Sequence, residues 1–235
     1  NTLSHRRHAE GSMREVVLDT ETTGLDPSEG HRVVEIGCVE LINHIPTGEV
    51  FHTYLNPERS MTDDAFAVHG LDQTFLAKQA LFVDVADAFV DFVSCSTLVI
   101  HNASFDLKFI NSELRLADRA ELGVEKVIDT LEMARHKFPG APASLDALCR
   151  RFGIDNSDRT KHGALLDAEL LSYVYVELIG GRQPALGLRQ EPTLSKAAVA
   201  NQVAARPPRP HAPTSQELDA HASFVALLEN PLWEA

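Results

Sequence analysis

Four carboxylates and one histidine offer more chemistry than a fold alone requires. Asp19 and Glu21 lie in Leu-Asp-Thr-Glu-Thr-Thr-Gly at 18–24, and Asp106 closes His-Asn-Ala-Ser-Phe-Asp at 101–106. His162 and Asp167 bound His-Gly-Ala-Leu-Leu-Asp at 162–167. Acids so far apart in sequence make chemical sense together if the fold gathers them. Gathered carboxylates repel one another, so such a site is expected to hold hard cations, and oxygen ligands suit Mg2+ or Mn2+. Two such ions about 3.5–4 Å apart can drive in-line attack on a phosphodiester.

The spacing within each stretch adds detail. Residues i and i+2 of an extended chain face the same way, so Asp19 and Glu21 can reach one metal from the end of a strand. Gly24 lets the backbone turn away, and Thr22 and Thr23 offer hydroxyls and N–H groups near a substrate. Asp106 belongs in the first turn of a helix, where the helix N-terminus favours a carboxylate. Asn102 is expected to tie the preceding turn together. Phe105 is either core or a wedge against a terminal base. His162 and Asp167, five apart, would stand about 140° apart on one regular helix. His162 therefore belongs on the approach to a helix and Asp167 on the helix itself. A histidine titrating near pH 6.5 can accept a proton from attacking water at neutral pH.

The elements that must position these groups can be read from pattern. Val16–Leu18 reads as a buried strand ending at Asp19, 32–41 as a second strand, and 49–55 as a third after a turn at Pro46-Thr47-Gly48. Residues 84–93 place Val85, Ala86, Phe89, Val90 and Val93 on one helical face. Thr97–Ile100 is a fourth strand, followed by a helix capped by Ser104 and running to Leu116. Val127-Ile128 is a short fifth strand. A helix starts at Ser144 and stops at Gly153, 154–161 is loop, and a last helix spans Gly163 to Leu178. Three strands followed by strands alternating with helices give an α/β fold, a mixed five-stranded sheet flanked by helices.

Composition sets bounds. The chain has 235 residues, 44% of them hydrophobic, which suits one domain with an appendage. Its apolar runs are far shorter than the roughly 20 residues of a spanning helix, and its start carries no secretory pattern. No membrane role is expected. Residues 1–12 read as vector-derived sequence ahead of a native Met13. Cys38, Cys95 and Cys149 form no close-spaced pair, which points to a reduced, cytoplasmic setting and away from zinc. The net charge of −13 excludes a broad electrostatic grip on nucleic acid. Cations, rather than Lys or Arg, would meet a phosphate here, and binding would be weak unless a partner supplied affinity.

The three stretches resemble the Exo I, II and III motifs of the DEDDh exonucleases, a branch of the ribonuclease-H-like superfamily. Asp-Thr-Glu-Thr-Thr-Gly, Ala-Val-His-Gly-Leu at 67–71, Ser-Leu-Asp-Ala-Leu-Cys at 144–149 and Lys-His-Gly-Ala-Leu-Leu-Asp-Ala at 161–168 resemble most the epsilon-type proofreading subunits of bacterial DNA polymerase III. The likeness runs from Met13 to Gly181. It implies a ribonuclease-H-like fold and a 3′→5′ exonuclease acting on a DNA 3′ end at the bacterial replisome. It further implies that Asp19, Glu21 and Asp167 hold one divalent cation and that Asp19, with Asp106 directly or through water, holds a second. His162 would be the general base. Asp64 and His69 match positions that contact the terminal nucleotide, although the family often has Glu where this chain has Asp64. Similar enzymes acting on RNA share the five core residues.

Composition changes after Gly181. Residues 182–216 are rich in Pro, Ala, Gln and Arg, and Arg206-Pro207-Pro208-Arg209-Pro210 cannot be helical, so a flexible linker is expected. Within it, Gln183 to Leu188 resembles a weak peptide ligand of the sliding clamp. Residues 217–235 regain apolar spacing through Leu218, Phe224, Leu227, Leu228, Leu232 and Trp233. An apolar segment beyond a linker suits docking on another protein, and by resemblance that partner is the polymerase catalytic (alpha) subunit.

Overall fold

The computed structural model describes residues 12–123, 126–157, 159, 161–180 and 212–227. The chain divides into two compact units, Asn1–Gly187 and Leu188–Ala235. Nearly all of the segment read as vector-derived, the clamp-peptide segment Gln183–Leu188 and the apolar residues Leu228, Leu232 and Trp233 lie outside the described residues.

In the first unit, strands β1 (Arg14–Thr22), β2 (Val33–Ile42), β3 (Ile45–Tyr54), β4 (Thr97–Ile100) and β5 (Val127–Asp129) form one sheet in the order β3-β2-β1-β4-β5. β1 pairs antiparallel with β2 and parallel with β4, and β5 extends the parallel side. The mixed α/β sheet expected from the pattern is the observed one. The first hairpin turns at Asn43 and His44, both with positive φ (51° and 66°), not at Pro46–Gly48. Asn tolerates that left-handed region better than most residues. Pro46 then sits inside β3, an edge strand, where its missing N–H costs the ladder little.

Helices cover both faces. On one face α3 (Phe82–Val93) and α4 (Ala103–Leu116) bury Phe82, Ala86, Phe89, Phe109, Ile110 and Leu114 against Val16, Leu18, Ile36, Cys38 and Ile100. On the other, α5 (Thr130–Lys137), α6 (Leu145–Phe152) and α7 (Ala164–Leu178) bury Ala134, Leu148, Ala168, Leu171, Val174 and Tyr175 against Val17, Val39, Leu41 and Val99. Each large apolar side chain so enclosed stabilises the fold by about 1.5–3 kcal/mol relative to exposure. Two short helices, α1 (Asp63–His69) and α2 (Gln73–Leu76), lie between β3 and α3. Thr62 caps α1 through a bond from Ala65 N–H, and Gly70 ends it at φ 71°. In the second unit one helix is described, α8 (Ser215–Val225), with Leu218, Phe224 and Leu227 exposed.

Two details of this frame place the site. β1 is paired with β4 only as far as Leu18↔Ile100. Residues 19–22 therefore run past the end of β4 and border a crevice at the carboxyl end of the parallel pair, where open α/β sheets bind ligands. Gly37 faces Asp19 across the β1–β2 ladder, and a Cβ there would overlap the Ala164 carbonyl group and Leu165 N. Only glycine lets the first turn of α7 lie this close to the sheet.

Candidate active site

β1 uses both faces of its final residues. Asp19 and Glu21 share the parity of Val17 and point toward α7, as their i, i+2 spacing implies. They lie within the strand rather than at its end, because pairing with β2 continues through a bulge to Thr22↔Val33. Thr20 points the other way, toward α4, and its Oγ1 donates to Asp106 Oδ1 at 2.7 Å.

Asp106 stands in the first turn of α4. That helix is not capped by Ser104. Asn102, at φ 69°, is its N-cap, and the Asp129 carboxylate accepts from Asn102 N–H (3.2 Å) and Ala103 N–H (3.0 Å). The same carboxylate accepts from Leu131 N–H at the start of α5 (2.8 Å). One half-buried acid thus fastens two helix starts beside the crevice, a role that the sequence pattern did not signal. The Phe105 ring packs on Phe109 at 5.0 Å, as a core residue would, and it also lines the crevice.

Asp167 sits in the first turn of α7, its N–H donating to Gly163 O at 2.9 Å. His162 precedes the helix, half exposed, with its backbone N–H on Val68 O at the end of α1 (3.2 Å). Lys161 Nζ donates to the neighbouring Ala67 O at 2.7 Å. His162 Nδ1 lies 3.2 Å from Asp167 Oδ2. Glu21, His162 and Asp167 each offer a ligand atom within 4.8 Å of the others. Asp19, Glu21, Asp106, His162 and Asp167 all line one cavity of about 290 Å³, so the five side chains singled out by type and spacing converge.

Arg159 also lines this cavity. Its guanidinium grips both oxygens of Asp167, Nε on Oδ1 at 2.5 Å and Nη2 on Oδ2 at 2.6 Å. Nη1 donates to Asp146 Oδ1 at 2.7 Å, and Nη2 lies 2.8 Å from His162 Nδ1. Nothing in its loop sequence marks this arginine.

The electrostatics divide the acids. Burial raises Asp19 well above the usual carboxylate range, and the charges of Asp106, Asp167 and Glu21 add to it. Burial pushes Glu21 up to about 8, with Asp167, Glu35 and Asp106 contributing. Burial likewise pushes Asp106 to about 7, although the hydrogen bond from Thr20 opposes it. Asp167 is the exception. Burial acts to raise it too, but the hydrogen bonds and charge of Arg159, with His162 beside it, hold it below the ordinary range. Three of the four acids thus resist ionisation, chiefly through burial, although the charge of Arg159 acts against it at Asp19 and Glu21. A buried set of four carboxylates with an adjoining imidazole, and one guanidinium against them, fits a hard divalent cation.

The Thr22–Gly24 loop differs from expectation. Thr22 Oγ1 donates to Gly24 O (2.6 Å), and Thr23 Oγ1 lies 3.1 Å from His31 Nδ1 and accepts from Arg32 N–H (3.0 Å). Both hydroxyls are spent inside the loop. Gly24 is needed for the close seat of the His31 ring, which a Cβ would strike, rather than for a sharp turn.

The two remaining positions part company. Asp64 is exposed in the first turn of α1. His69 is buried at the other end of that helix. Its Nδ1 accepts from Leu71 N–H at 3.1 Å, which leaves the proton of a neutral ring on Nε2. That nitrogen is buried and faces the Thr22 backbone without a well-formed hydrogen bond. Burial lowers the proton affinity of this ring, so the neutral form is favoured. Neither residue lines the cavity.

Comparisons with known proteins show the family and the fold. The sequence profile of the Exonuclease family (RNase_T) matches residues 16–175. The DNA polymerase III subunit epsilon of Rickettsia felis is 50% identical over 221 residues, 92% of this chain and 96% of that one. The Escherichia coli (strain K12) protein of the same name is 48% identical over 176 residues, 72% of each chain. Among solved structures, the nuclease domain of 3′hExo, a DEDDh family member bound to rAMP, aligns with a TM-score of 0.61. The alignment covers 74% of this chain and 94% of that one at 20% identity, a likeness of fold.

Proposed function

Because this chain belongs to the Exonuclease family, we propose that its acidic crevice removes mispaired nucleotides from DNA 3′ ends, as the proofreading subunit of a bacterial replicative polymerase. The observation that carries the reading is the convergence of Asp19, Glu21, Asp106, His162 and Asp167 on one cavity. The choice of DNA over RNA rests on the two relatives at about half identity, both DNA polymerase III subunits.

Asp19, Glu21 and Asp167 would hold one divalent cation, Mg2+ or Mn2+, and Asp19 with Asp106 a second. Bound there, the ions would offset the repulsion among the acids, lower the pKa of water and stabilise the departing 3′ oxygen. The protein's own groups do the rest. With Nδ1 donating to Asp167 Oδ2, which lies 3.2 Å away, Nε2 of His162 would be the nitrogen left to take a proton from attacking water. The tether from His162 N–H to Val68 O, and that from Lys161 to Ala67 O, hold the imidazole at the mouth of the cavity. His69, with its Nε2 proton unspent, and Asp64 would meet the terminal nucleotide from α1. Phe105 offers a ring to its base. A frayed end enters such a crevice without the cost of unpairing, which selects mismatches.

The second unit fits a docking role. α8, which starts in a Thr214–Glu217 capping box, exposes Leu218 and Phe224, and Leu227 just beyond it is exposed as well. In this reading 13–181 is the exonuclease domain, 182–216 a linker carrying the clamp peptide Gln183–Leu188, and 217–235 the segment that docks on the polymerase alpha subunit. The setting is the cytoplasmic replisome. No helix among the described residues is long and apolar enough to cross a membrane.

The test is release of mononucleotides from a mispaired primer end in Mg2+, with EDTA and Asp19→Ala as controls. Hydrolysis that survives either control would overturn the metal assignment. A matched oligoribonucleotide degraded faster than its deoxy counterpart would overturn the assignment to DNA.

A further inference from the structure

Arg159 poses a question that the proposed chemistry does not answer. Its guanidinium covers both carboxylate oxygens of Asp167. A cation ligated by Asp167 needs one of those oxygens, and there it meets the charge of the guanidinium and a lone pair already engaged. The arginine is nearly enclosed, with 7% of its side chain exposed, and is held from the other side by Asp146. It also reaches His162. A guanidinium has only donors, so its contact with Nδ1 makes that nitrogen an acceptor and leaves the proton of a neutral imidazole on Nε2. Nε2 is the nitrogen that must be free to take a proton from water. Arg159 therefore stands against both requirements of the reaction at once.

We propose that Arg159 is an internal competitor for the metal site, a displaceable guanidinium that keeps Asp167 charged and His162 in the unreactive tautomer until a divalent cation takes its place. The inference rests on the metal reading above and adds to it a residue outside the five. Asp146, 44% exposed, is the partner the guanidinium can retain while it gives up Asp167. The loop that carries Arg159 also carries His162, so release of one frees the Nδ1 of the other. Such an arrangement keeps a buried carboxylate paired, since a buried ionised acid without a partner is costly. It also makes cation affinity lower than the donor set alone would give.

The experiment is a Mn2+ titration of the full chain followed by electron paramagnetic resonance. Arg159→Gln should tighten the first dissociation constant by about tenfold or more, since a charge-assisted fork no longer has to be broken. Arg159→Lys, which keeps a charge without the fork, should tighten it by less, and it serves as the test if Arg159→Gln does not stay folded. Lys161→Gln is the control, because it removes a neighbouring charge that touches Ala67 O and not Asp167. Equal tightening in Lys161→Gln and Arg159→Gln would reduce the effect to general electrostatics and overturn the proposal, as would unchanged or weaker binding in Arg159→Gln. In an Asp167→Asn background the Arg159→Gln effect should shrink to less than about twofold, as a double-mutant cycle requires of a direct pair. Failure of the wild-type chain to bind Mn2+, or binding indifferent to Asp167→Asn, would strike the metal reading itself and is distinguishable from failure of the competitor.

Discussion

Gly37→Ala should damage the active site out of proportion to the fold. The residue lies in β2 opposite Asp19, and the first turn of α7 rests on it with no room for a methyl group. To restore a carbon–carbon separation of about 3.5–4.0 Å, the α7 backbone at Ala164 and Leu165 must retreat by on the order of 1 Å. Overpacking of this kind costs about 1–3 kcal/mol. For a domain of this size that lowers Tm by about 3–10 °C. Asp167 is in the same turn of α7 and moves with it, away from Asp19 and Glu21. A misplacement of about 1 Å at reacting groups can cost on the order of a hundredfold in rate. The expected result is a chain that melts a few degrees lower, binds Mn2+ more weakly and excises a mispaired nucleotide about a hundredfold more slowly in single-turnover assays. Excision within about threefold of the wild-type rate, with the Tm lowered as expected, would refute the reasoning that the seat of α7 on β2 sets the position of Asp167.

Three further outcomes test the same site. Asp167→Asn should abolish hydrolysis in Mg2+ while circular dichroism stays native, and near-normal turnover would remove this residue from the ligand set. His162→Ala should slow the chemical step by about 10²–10⁴-fold with Mn2+ affinity retained, and a rate unchanged at neutral pH would point to another base. The raised pKa values fix the sign of a stability effect. Asp106 and Glu21 titrate at about 7 and about 8 in the folded chain, above their ordinary values of 3.8 and 4.5. Their protonated forms favour the fold, so that stability is complete near pH 4 and is lost as pH rises through 7 and 8. Each group contributes on the order of a few kcal/mol, at about 1.4 kcal/mol for each tenfold change in proton affinity. Asp167, held low, acts in the opposite sense and only at acid pH. In EDTA the Tm should therefore fall between about pH 5 and 8, and saturating Mg2+ should flatten the fall. A Tm in EDTA that is level or rising over that range would contradict the assignment of these acids to a buried, mutually repelling set.

The residues gathered at the crevice were legible because their types, brought together, are costly elsewhere. Two acids at i and i+2 in an extended run have a fixed common face whatever the strand's length, so Asp19 and Glu21 could be paired without knowing that β1 continues to Thr22. The approach residue His162 and the helical Asp167 followed from the 100° period in the same way. Turn chemistry was less legible. Pro46-Thr47-Gly48 carries stronger turn residues than Asn43-His44, yet β3 is an edge strand that admits proline, and the shorter loop won. α1 and α2 are too brief to show a period, and only the Thr62 and Asp72 caps with Gly70 mark them. The supports of the site were not legible at all. Asp129 holds two helix starts, Gly37 admits α7, and Arg159 covers Asp167, and each depends on a neighbour remote in sequence. Patterns of period and type carry no record of such neighbours.

The place of β1 at the centre of the sheet has a consequence for synthesis. Among the described elements of its unit, the strand that carries Asp19 and Glu21 leaves the ribosome first and the helix that carries Asp167 leaves last. In the reading proposed above, a growing chain holds no complete acidic cluster until α7 docks, so an unfinished product would not degrade nucleic acid around it. Contacts of such long sequence separation form late on the folding route, and whatever binds only the finished cluster should slow its opening without hastening its assembly.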